Sequence, residues 1–582
     1  MQNAARISSV IAGSPLGGLT RRGFIAGAAV ASAVAAVPAF AEEAASTTDA
    51  GSAAKDAEAG QTVPSWLGEA PDITDDDCSE TVDTEVLVVG AGDSGLFAAV
   101  TAAEEGAKVL LIDRMELGFG IRASALGAVD SALQKEHDEA HIDKTAILND
   151  IVHYADGKCD MRIWRMWADE SGEAIDWYTN HAAKTGNVTV ENEWNMPLGS
   201  TNYRCWPTGH ASIGTDMKWS AEATMLHYFI DLLNSYDGCE HRGYTKLEKL
   251  IVEDGKVTGA YCSTGENFDS YLRVNASKGV VIATGGYVLN RDMMRALQPD
   301  VYAGLSMIFT ASQPYGDGIK ACLWAGAQLD GTQSSMVFDR GAVHPDVEIG
   351  DPYAGNFGVN CLRSQPFLKV NSRGERFCNE SSPYDYVFHA ASKFADHAWY
   401  PIWDANYLDD IDRFHTIGCS TQYLREGGDH LMGGDRDSIS AEVQQSIDDG
   451  SCQQADTLEE LAEKLGIDAE TFVETVSRYN DLCDAGQDFD FGKEPFRLSP
   501  VREAPFYGIK VGGDILCTFS GVKITPECEA VDANGDVIEG LYVIGNDAGC
   551  KYNESYPNLA AGLNAGLSAT MGRHVGKRLA AK

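Results

Sequence analysis

The chain has 582 residues, of which 44% are hydrophobic and 60 are glycine. This composition fits an α/β enzyme of several structural units and excludes a disordered or fibrous protein. The formal net charge of −41 argues against nucleic acid and anionic membrane surfaces as partners.

The N-terminal region carries the parts of an export signal. Residues 20–25 read TRRGFI, an alanine-rich apolar run follows at residues 26–37, and residues 39–41 have the small-residue form of a cleavage site. The run is too short and too rich in alanine for a transmembrane helix. The alternative interpretation is an uncleaved membrane anchor. Residues 1–41 are therefore predicted to be a signal peptide for the twin-arginine export machinery. The expected location is the periplasm or the outer face of the cytoplasmic membrane.

The next segment, residues 42–80, is rich in Ala, Ser, Thr, Asp and Glu, and is predicted to be a disordered acidic linker. It contains no residue pattern that points to chemistry. Fold prediction therefore starts after it.

A strand that runs into three glycines is the most specific signal of the chain. Residues 85–95 read EVLVVGAGDSG, and a second predicted strand ends in LLID at Asp113. In such a βαβ unit Gly90 permits the tight turn, Gly92 lets the backbone approach a pyrophosphate, and Gly95 lets the helix pack closely on the strand. The helix N-terminus offers N–H groups to the phosphates, and Asp113 can accept from ribose hydroxyls. The pattern predicts an adenine dinucleotide site.

The later elements are predicted from periodicity and turn residues. They are a helix at 94–105, a loop at 118–128, a helix at 160–181, a hairpin at 249–261, a strand at 279–286, a helical stretch at 457–480, a strand at 540–546 and a final helix from about 560 to 579. The loop at 118–128 can wrap the diphosphate or serve as a plain connection. The chain starts and finishes in the dinucleotide domain, which is therefore predicted to be discontinuous, with a lid or substrate domain inserted.

Seven segments in the right order resemble the fumarate reductase/succinate dehydrogenase flavoprotein superfamily. They are VVGAGDSG, WPTG, DGKVTG, IATGG, GDGIKAC, NSRGERFCNES and GLYVIGN. The resemblance implies FAD rather than NAD as the cofactor, and an α/β fold in which a discontinuous Rossmann-like FAD-binding domain carries an inserted α+β capping domain. The implied boundaries are residues 82–335 and 515–582 for the FAD-binding domain and 336–514 for the capping domain.

The resemblance also implies which residues hold the cofactor. The predicted FAD-binding residues are Gly90, Gly92, Ser94, Gly95, Asp113, Arg114, Ser124, Gly127, Ala283, Thr284, Gly285, Gly545, Asn546 and Gly562. The 14 cysteines form no CxxC pair for a haem or an iron–sulfur cluster. No residue cluster has metal-ligand spacing, so no metal site is predicted.

The chain departs from fumarate reductases where those enzymes bind and protonate a small dicarboxylate. Asn379 and Glu380 are followed by Ser-Ser-Pro-Tyr instead of the proton-donating arginine, and the terminal arginine of that family falls at about Asn558. Burying carboxylates without these counter-charges costs several kcal/mol. Fumarate and succinate are therefore not expected as substrates.

The residues that stand in these places resemble the 3-ketosteroid dehydrogenase branch of the superfamily. The resemblance implies that Tyr384 moves the proton, and that Tyr556 and the backbone N–H of Ala560, opening the last helix, hold the carbonyl oxygen. Asn546 matches the Gly-Asn motif of that branch. The alternative for both tyrosines is an amphipathic packing role.

Three cationic or titratable side chains of the inserted domain are further candidates. Arg363, Arg340 and His344 can orient a carboxylate or a proton donor, or can form structural ion pairs instead. The predicted catalytic set is Tyr384, Tyr556, Ala560 and Arg363.

The expected function follows from these residues together. We expect an exported FAD-dependent oxidoreductase that reduces a C=C bond conjugated to a carbonyl, of the enone or acrylate type. Hydride would come from flavin N5 and the proton from a tyrosine. A membrane quinol or cytochrome is the expected electron donor, as in anaerobic respiration. The alternatives are a 3-ketosteroid-type dehydrogenase that introduces a C=C bond and a flavin electron shuttle without its own substrate.

Overall fold

The computed structural model describes most of the chain after the predicted signal peptide. The described residues are 63–122, 125–136, 141–193, 206–215, 220–310, 312–350, 352, 362, 364–414, 423–424, 433–557 and 559–582. Within them, none of the helices combines the length and apolar character needed to cross a membrane. The same residues contain no group of three or more His, Cys, Asp or Glu arranged to hold a metal ion.

Some of the predicted features lie outside this range. The predicted signal peptide at residues 1–41, Ser124 and Arg363 are outside the described residues, as is Asn558. Of the predicted linker, residues 63–80 are described.

The strands of the described residues divide into two larger sheets and two small ones. They are β1 (Cys78–Val89), β2 (Val109–Ile112), β3 (Val188–Glu193), β4 (Gly209–Gly214), β5 (Glu240–Arg242), β6 (Thr245–Glu253), β7 (Lys256–Thr264), β8 (Ser270–Ile282), β9 (Leu305–Ile308), β10 (Ser335–Val343), β11 (Leu368–Val370), β12 (Tyr400–Trp403), β13 (Tyr423–Leu424), β14 (Gly433–Gly434), β15 (Cys452–Ala455), β16 (Phe506–Thr518), β17 (Glu529–Val531) and β18 (Val537–Val543).

The helices of the same residues are mostly short, with three long exceptions. They are α1 (Asp93–Glu104), α2 (Ala132–Lys135), α3 (Lys144–Tyr154), α4 (Met161–Thr185), α5 (Ala221–Ser235), α6 (Arg291–Leu297), α7 (Pro299–Ala303), α8 (Asp317–Trp324), α9 (Tyr384–Ala391), α10 (Tyr407–Phe414), α11 (Arg436–Asp448), α12 (Leu458–Leu465), α13 (Ala469–Ala485) and α14 (Leu563–Ala580).

The first sheet has the order β17-β18-β8-β1-β2-β5, with β6 and β7 joined to β8. Strands β18, β8, β1, β2 and β5 run parallel to one another. All of β2 and the last residues of β1 are buried, because both faces of a parallel sheet are covered. Val89, Ile282 and Val543 are register partners at the carboxyl ends of β1, β8 and β18. The loops after these three strands therefore meet at one edge, where ligands of open α/β sheets bind.

The two ends of the described chain pack together beside this sheet. Helix α1 follows β1, and the C-terminal helix α14 packs against it, with Arg573 donating to the Thr101 hydroxyl at 3.1 Å. A Cβ on Gly572 would lie 2.3 Å from the Ser94 carbonyl oxygen, so the helices are in backbone contact. The predicted discontinuous α/β domain is confirmed.

Most strands of the second sheet lie in the inserted part of the chain, and β9 joins them from the preceding part. The sheet order is β10-β16-β12-β11, with β9 and β15 also paired to β16. Strand β16 is antiparallel to β10, β12 and β15 and parallel to β9. A separate hydrophobic core under this sheet includes Leu368, Ile402 and Phe472. Strand β16 continues through the predicted boundary at residues 514 and 515 and ends at Thr518, beside the first sheet. The individual domain boundaries stay predictions.

The predicted elements differ from the structure mainly at their ends. The helix at 160–181 and the hairpin at 249–261 are present as α4 and as β6 with β7. The stretch 457–480 is two helices, because Gly466, with a φ of +71°, ends α12 and the Asp468 side chain caps α13. Strand β1 begins at Cys78, inside the predicted linker, because it pairs there with β8.

Candidate active site

The turn after β1 has the geometry that diphosphate binding needs. Gly90 has a φ of +110°, and a Cβ there would lie 2.2 Å from the Ala283 carbonyl oxygen. A Cβ on Gly95 would lie 1.8 Å from the Gly90 carbonyl oxygen. A Cβ on Gly92 would meet nothing within 4 Å, so the N-terminus of α1 faces open space. The N–H groups of this helix start are available to an anion.

The first turn of α1 also contacts the loop predicted to wrap the diphosphate. The Asp93 carboxyl accepts from the Arg122 backbone N–H at 2.7 Å, and Gly92 forms a bridge with Gly120. Burial raises the pKa of Asp93 to about 6. Ser94 is buried on the other side, where a Cβ on Gly545 would lie 2.4 Å from the serine hydroxyl. The glycine-rich turn is thus held between this loop and the turn after β18.

The end of β2 presents the predicted ribose-binding acid. Asp113 accepts from the Ala91 and Met115 backbone N–H groups, each at 2.7 Å, and burial raises its pKa. Arg114 donates to Asp317 at 2.8 Å, and its guanidinium lies 4.5 Å from the Tyr315 ring centroid. The Arg114 Nε is buried without a hydrogen-bond partner in the described part of the chain. This unsatisfied donor and the open space at Gly92 both fit a dinucleotide along this edge.

The turn after β8 is held by an acid that the sequence prediction missed. Both oxygens of the Asp547 carboxyl accept from the turn: the donors are the backbone N–H groups of Thr284, Gly285 and Gly286 and the Thr284 hydroxyl. The Gly285 and Gly286 distances are 3.2 and 3.0 Å. Burial raises the pKa of Asp547 to about 6 in spite of these donors. The predicted binding residues Ala283, Thr284 and Gly285 are therefore fixed to the turn after β18.

That second turn is held in place by a buried lysine. Lys551 donates from Nζ to the Gly545 carbonyl oxygen at 2.6 Å, and burial lowers its pKa to about 8. Asn546 accepts from the Asn564 side-chain amide at 2.8 Å, and the Asn564 backbone N–H donates to the Tyr556 hydroxyl at 3.2 Å. Asn546 and Tyr556 are thus joined through Asn564 at the start of α14.

The start of the last helix differs from the prediction. Helix α14 begins at Leu563, and Gly562, with a φ of +68°, precedes it in a left-handed conformation. Ala560 lies before this turn, and its N–H contacts the Pro557 carbonyl oxygen at 3.3 Å. The prediction that Ala560 opens the helix is wrong, because the glycine places the helix start beyond it. Gly127 donates from its N–H to the Gly562 carbonyl oxygen at 2.9 Å, which brings these two predicted FAD-binding residues together.

The two predicted catalytic tyrosines are brought together by an acid between them. Tyr384 is the first residue of α9 and is 5% exposed, with its ring 4.7 Å from Phe338. Tyr556 is 3% exposed and packs on Phe519. The Asp385 carboxyl, next to Tyr384 in the chain, accepts from the Tyr556 backbone N–H at 3.2 Å. The inserted segment and the loop before α14 therefore meet at these tyrosines.

The remaining candidates of the inserted segment are placed differently. Arg340 is buried and donates to Asp514 at 2.7 Å, with its guanidinium 3.9 Å from the Phe338 ring centroid. It therefore lies near Tyr384 but has a carboxylate as its counter-charge. His344 is half-buried after β10, and Arg363 lies outside the described residues.

The buried acid Asp385 is expected to make the free energy of unfolding fall as pH rises, whereas most aspartates have the opposite effect. The pKa of Asp385 is raised by burial to about 8 from an ordinary 3.8. Between these values the unfolded chain releases a proton that the folded protein keeps, so the free energy of unfolding falls as pH rises. We expect the Tm of Asp385→Asn to fall less between pH 6 and pH 8 than that of the wild type. Equal slopes of Tm against pH for the wild type and Asp385→Asn would contradict this prediction.

Known proteins match this chain along most of its length. Residues 85–563 match the family described as FAD binding domain. Vinyl phenol reductase of Lactiplantibacillus plantarum is 29% identical over 502 residues, which cover 85% of this chain and 96% of that protein. Fumarate reductase (cytochrome) of Shewanella frigidimarina is 27% identical over 477 residues, which cover 81% of this chain and 72% of that protein.

A solved structure shares the fold. The 3-ketosteroid-delta4-(5alpha)-dehydrogenase of Rhodococcus jostii superposes with a TM-score of 0.62 at 18% identity, covering 88% of this chain and 99% of that chain. The matches confirm the resemblance stated from the sequence segments and the choice of FAD over NAD. The chain belongs to the FAD binding domain family, within the fumarate reductase/succinate dehydrogenase flavoprotein superfamily, and is an FAD-dependent oxidoreductase.

Proposed function

We propose that this protein reduces a C=C bond conjugated to a carbonyl group, as in an enone or an acrylate. Three of its relatives carry the names of alkene substrates: vinyl phenol, fumarate and acrylate. These names support C=C reduction as the reaction. The observation that carries the proposal is that Asp385, the residue after Tyr384, hydrogen-bonds to the Tyr556 backbone N–H. Tyr556 in turn connects through Asn564 to Asn546, in a turn predicted to hold FAD.

The two tyrosines have separate tasks in this reaction. The Tyr556 hydroxyl accepts from the Asn564 N–H at 3.2 Å, and in the proposed reaction its O–H donates to the substrate carbonyl oxygen. Such a donor stabilises the charge that develops on that oxygen, by about 3 kcal/mol. Tyr384, at the N-terminus of α9, supplies the proton for the α-carbon. FAD, when bound in its reduced form, supplies the hydride for the β-carbon.

The electrostatics near Tyr384 favour a neutral substrate over a dicarboxylate. The Arg340 guanidinium is paired with Asp514 at 2.7 Å, so its charge is compensated within the protein. The rings of Phe338 and Phe519 lie against the two tyrosines. An apolar wall of this kind stabilises a flat, uncharged molecule, whereas burial of two carboxylates there would be costly.

A second candidate substrate is an alkene conjugated to a phenol. It is favoured by the relative named vinyl phenol reductase, which is covered over 96% of its length, and by the aromatic residues beside Tyr384 and Tyr556. The phenol oxygen would take the place of the carbonyl oxygen at Tyr556, because charge reaches it through the ring. Tyr384 would protonate the terminal carbon of the alkene while the phenol releases its proton to water. Hydride from reduced FAD would go to the carbon bonded to the ring, which returns the electron pair to the phenol oxygen for reprotonation by water.

We further propose that the enzyme is exported by the twin-arginine machinery and receives electrons from a membrane quinol or a cytochrome. The paired arginines in residues 20–25 and the apolar run after them support export. The absence of a CxxCH motif from the sequence supports an electron donor outside the chain. Fractionation of cells that express the full chain decides the location, and a purely cytoplasmic protein would refute export.

The substrate class is tested with the reduced holoenzyme under anaerobic conditions. We expect the visible flavin absorbance to return rapidly on mixing with enones, acrylates or 4-vinylphenol, and slowly with fumarate. Preference for 4-vinylphenol over every carbonyl compound would select the second candidate. Reoxidation by no alkene faster than by buffer would refute C=C reduction and leave the electron-shuttle alternative. Formation of an enone from a saturated ketone by the oxidised enzyme would support the dehydrogenase alternative.

A further inference from the structure

A buried carboxyl group joins the inserted segment to the FAD-binding unit at the proposed site. Asp385 is 1% exposed and is the second residue of α9, directly after Tyr384. Its Oδ2 accepts from the Tyr556 backbone N–H at 3.2 Å, and the Tyr154 hydroxyl donates to its Oδ1 at 3.4 Å. One side chain of the inserted segment therefore contacts two separate segments of the FAD-binding unit.

The hydrogen bonds of Asp385 differ from those of two other buried carboxylates in the inserted segment. Glu380 and Asp514 each have an arginine partner at 2.7 Å, Arg376 and Arg340 respectively. The hydrogen bonds to Asp385 come from the Tyr154 phenol and from backbone N–H groups, including that of Tyr556. Burial favours the neutral acid and raises the pKa of this group to about 8, in spite of the hydrogen bonds that it accepts. A costly buried acid next to a proposed proton donor indicates a functional position.

The aromatic contacts of Tyr154 make the connection rigid. The Tyr154 ring, at the end of α3, stacks on Tyr386 with centroids 5.0 Å apart and planes 18° apart. The two residues that follow Tyr384 in α9 thus both contact Tyr154. The first turn of α9 is fixed against the FAD-binding unit by a hydrogen bond and by a stacked ring pair.

We infer that Asp385 is a positioning residue, which holds Tyr384 and Tyr556 at the separation that alkene reduction needs; this inference rests on the proposed function. Tyr384 shares its backbone with Asp385, and the Tyr556 backbone is fixed by its own N–H to the carboxyl. Loss of the carboxyl frees the two tyrosines to move relative to each other. A displacement of about 1 Å of a catalytic group costs about 10²-fold in rate.

The test compares two alanine variants that each remove a buried acceptor of backbone N–H groups. Asp385→Ala removes the acceptor of Tyr556, and Asp404→Ala removes the acceptor of Arg502 and Glu503, at 2.9 and 3.0 Å elsewhere in the inserted segment. We expect kcat to fall about 10²-fold in Asp385→Ala, with KM and flavin content near those of the wild type. Asp404→Ala should lower the Tm and keep its kcat. Asp385→Asn, which retains an acceptor oxygen, should recover most of the kcat.

A second measurement needs no substrate and separates this inference from the proposed function. Amide hydrogen exchange of the holoenzyme should speed up at Tyr556 in Asp385→Ala and at Arg502 and Glu503 in Asp404→Ala. If the wild type reduces no alkene, the proposed function fails. The exchange rate of the Tyr556 amide then tests by itself whether Asp385 holds the Tyr556 backbone in place. An Asp385→Ala variant whose kcat equals that of Asp404→Ala, or whose Tyr556 amide stays protected, overturns the inference.

Discussion

Replacing Tyr384 with phenylalanine is expected to slow alkene reduction by about 10³-fold, because the proton donor to the α-carbon is lost. The change removes one hydroxyl and keeps the ring, which lies 4.7 Å from Phe338. The fold and the flavin should therefore remain intact. The measurement is a single turnover in which reduced enzyme is mixed with a saturating alkene and the return of flavin absorbance is followed.

The matched control is a tyrosine of the same segment that lies outside the site. Tyr400 is 3% exposed in β12, and Tyr400→Phe also removes a buried hydroxyl. We expect its turnover to stay close to that of the wild type. A Tyr384→Phe enzyme that reoxidises as fast as the Tyr400→Phe enzyme would show that the proton comes from another group.

Replacing Asp547 with alanine is expected to yield protein without bound FAD. The backbone N–H groups of Thr284, Gly285 and Gly286 would lose their common acceptor. Each buried donor left without a partner costs about 1–3 kcal/mol, so a loss of about 3 kcal/mol or more is expected. The turns after β8 and β18 would separate, and both carry predicted FAD-binding residues. Flavin released on denaturing the purified protein measures the occupancy, and denaturant unfolding measures the stability.

The control is Asp532, a half-exposed acid between β17 and β18. It accepts from the Asn534 and Asp536 backbone N–H groups at 2.8 and 2.9 Å. Water can replace this acceptor, so Asp532→Ala should keep its flavin and lose less stability than Asp547→Ala. Full flavin occupancy in Asp547→Ala would mean that the turn after β8 holds its shape without the carboxyl.

The parts of the fold that depend on local sequence were predictable. The predicted roles of Gly90, Gly92 and Gly95 follow from backbone geometry within one βαβ unit. In the structure Gly90 and Gly95 are in close contact with backbone atoms, and Gly92 faces open space. Helix α4 was predictable because apolar residues repeat at helical spacing and Asp160 provides a cap. Periodicity and turn residues act over a few positions, which a single sequence displays.

The parts of the site that depend on distant residues were not predictable in the same way. Asp547 holds a turn more than 250 positions earlier, and its only local signal is that it follows the Gly-Asn pair. Asp385 stands next to a predicted tyrosine, but its contacts with Tyr154 and Tyr556 arise from the packing of three separate segments. Ala560 was misplaced because a left-handed Gly562 moves the helix start, and single residues of this kind set helix ends.

The contacts between α1 and its following loop and the segment around α14 constrain when the cofactor can bind. Gly127 bonds to Gly562, Asn546 bonds to Asn564, and α1 packs against α14. A nascent polypeptide that has not yet reached α14 lacks these contacts, so residues 545–580 have to be synthesised before the dinucleotide can be captured. If the enzyme is exported with FAD bound, as proposed, the export machinery must transport a folded protein instead of an extended polypeptide. A secretion pathway that accepts only unfolded polypeptide would deliver the apoprotein to a compartment that has to provide the nucleotide itself.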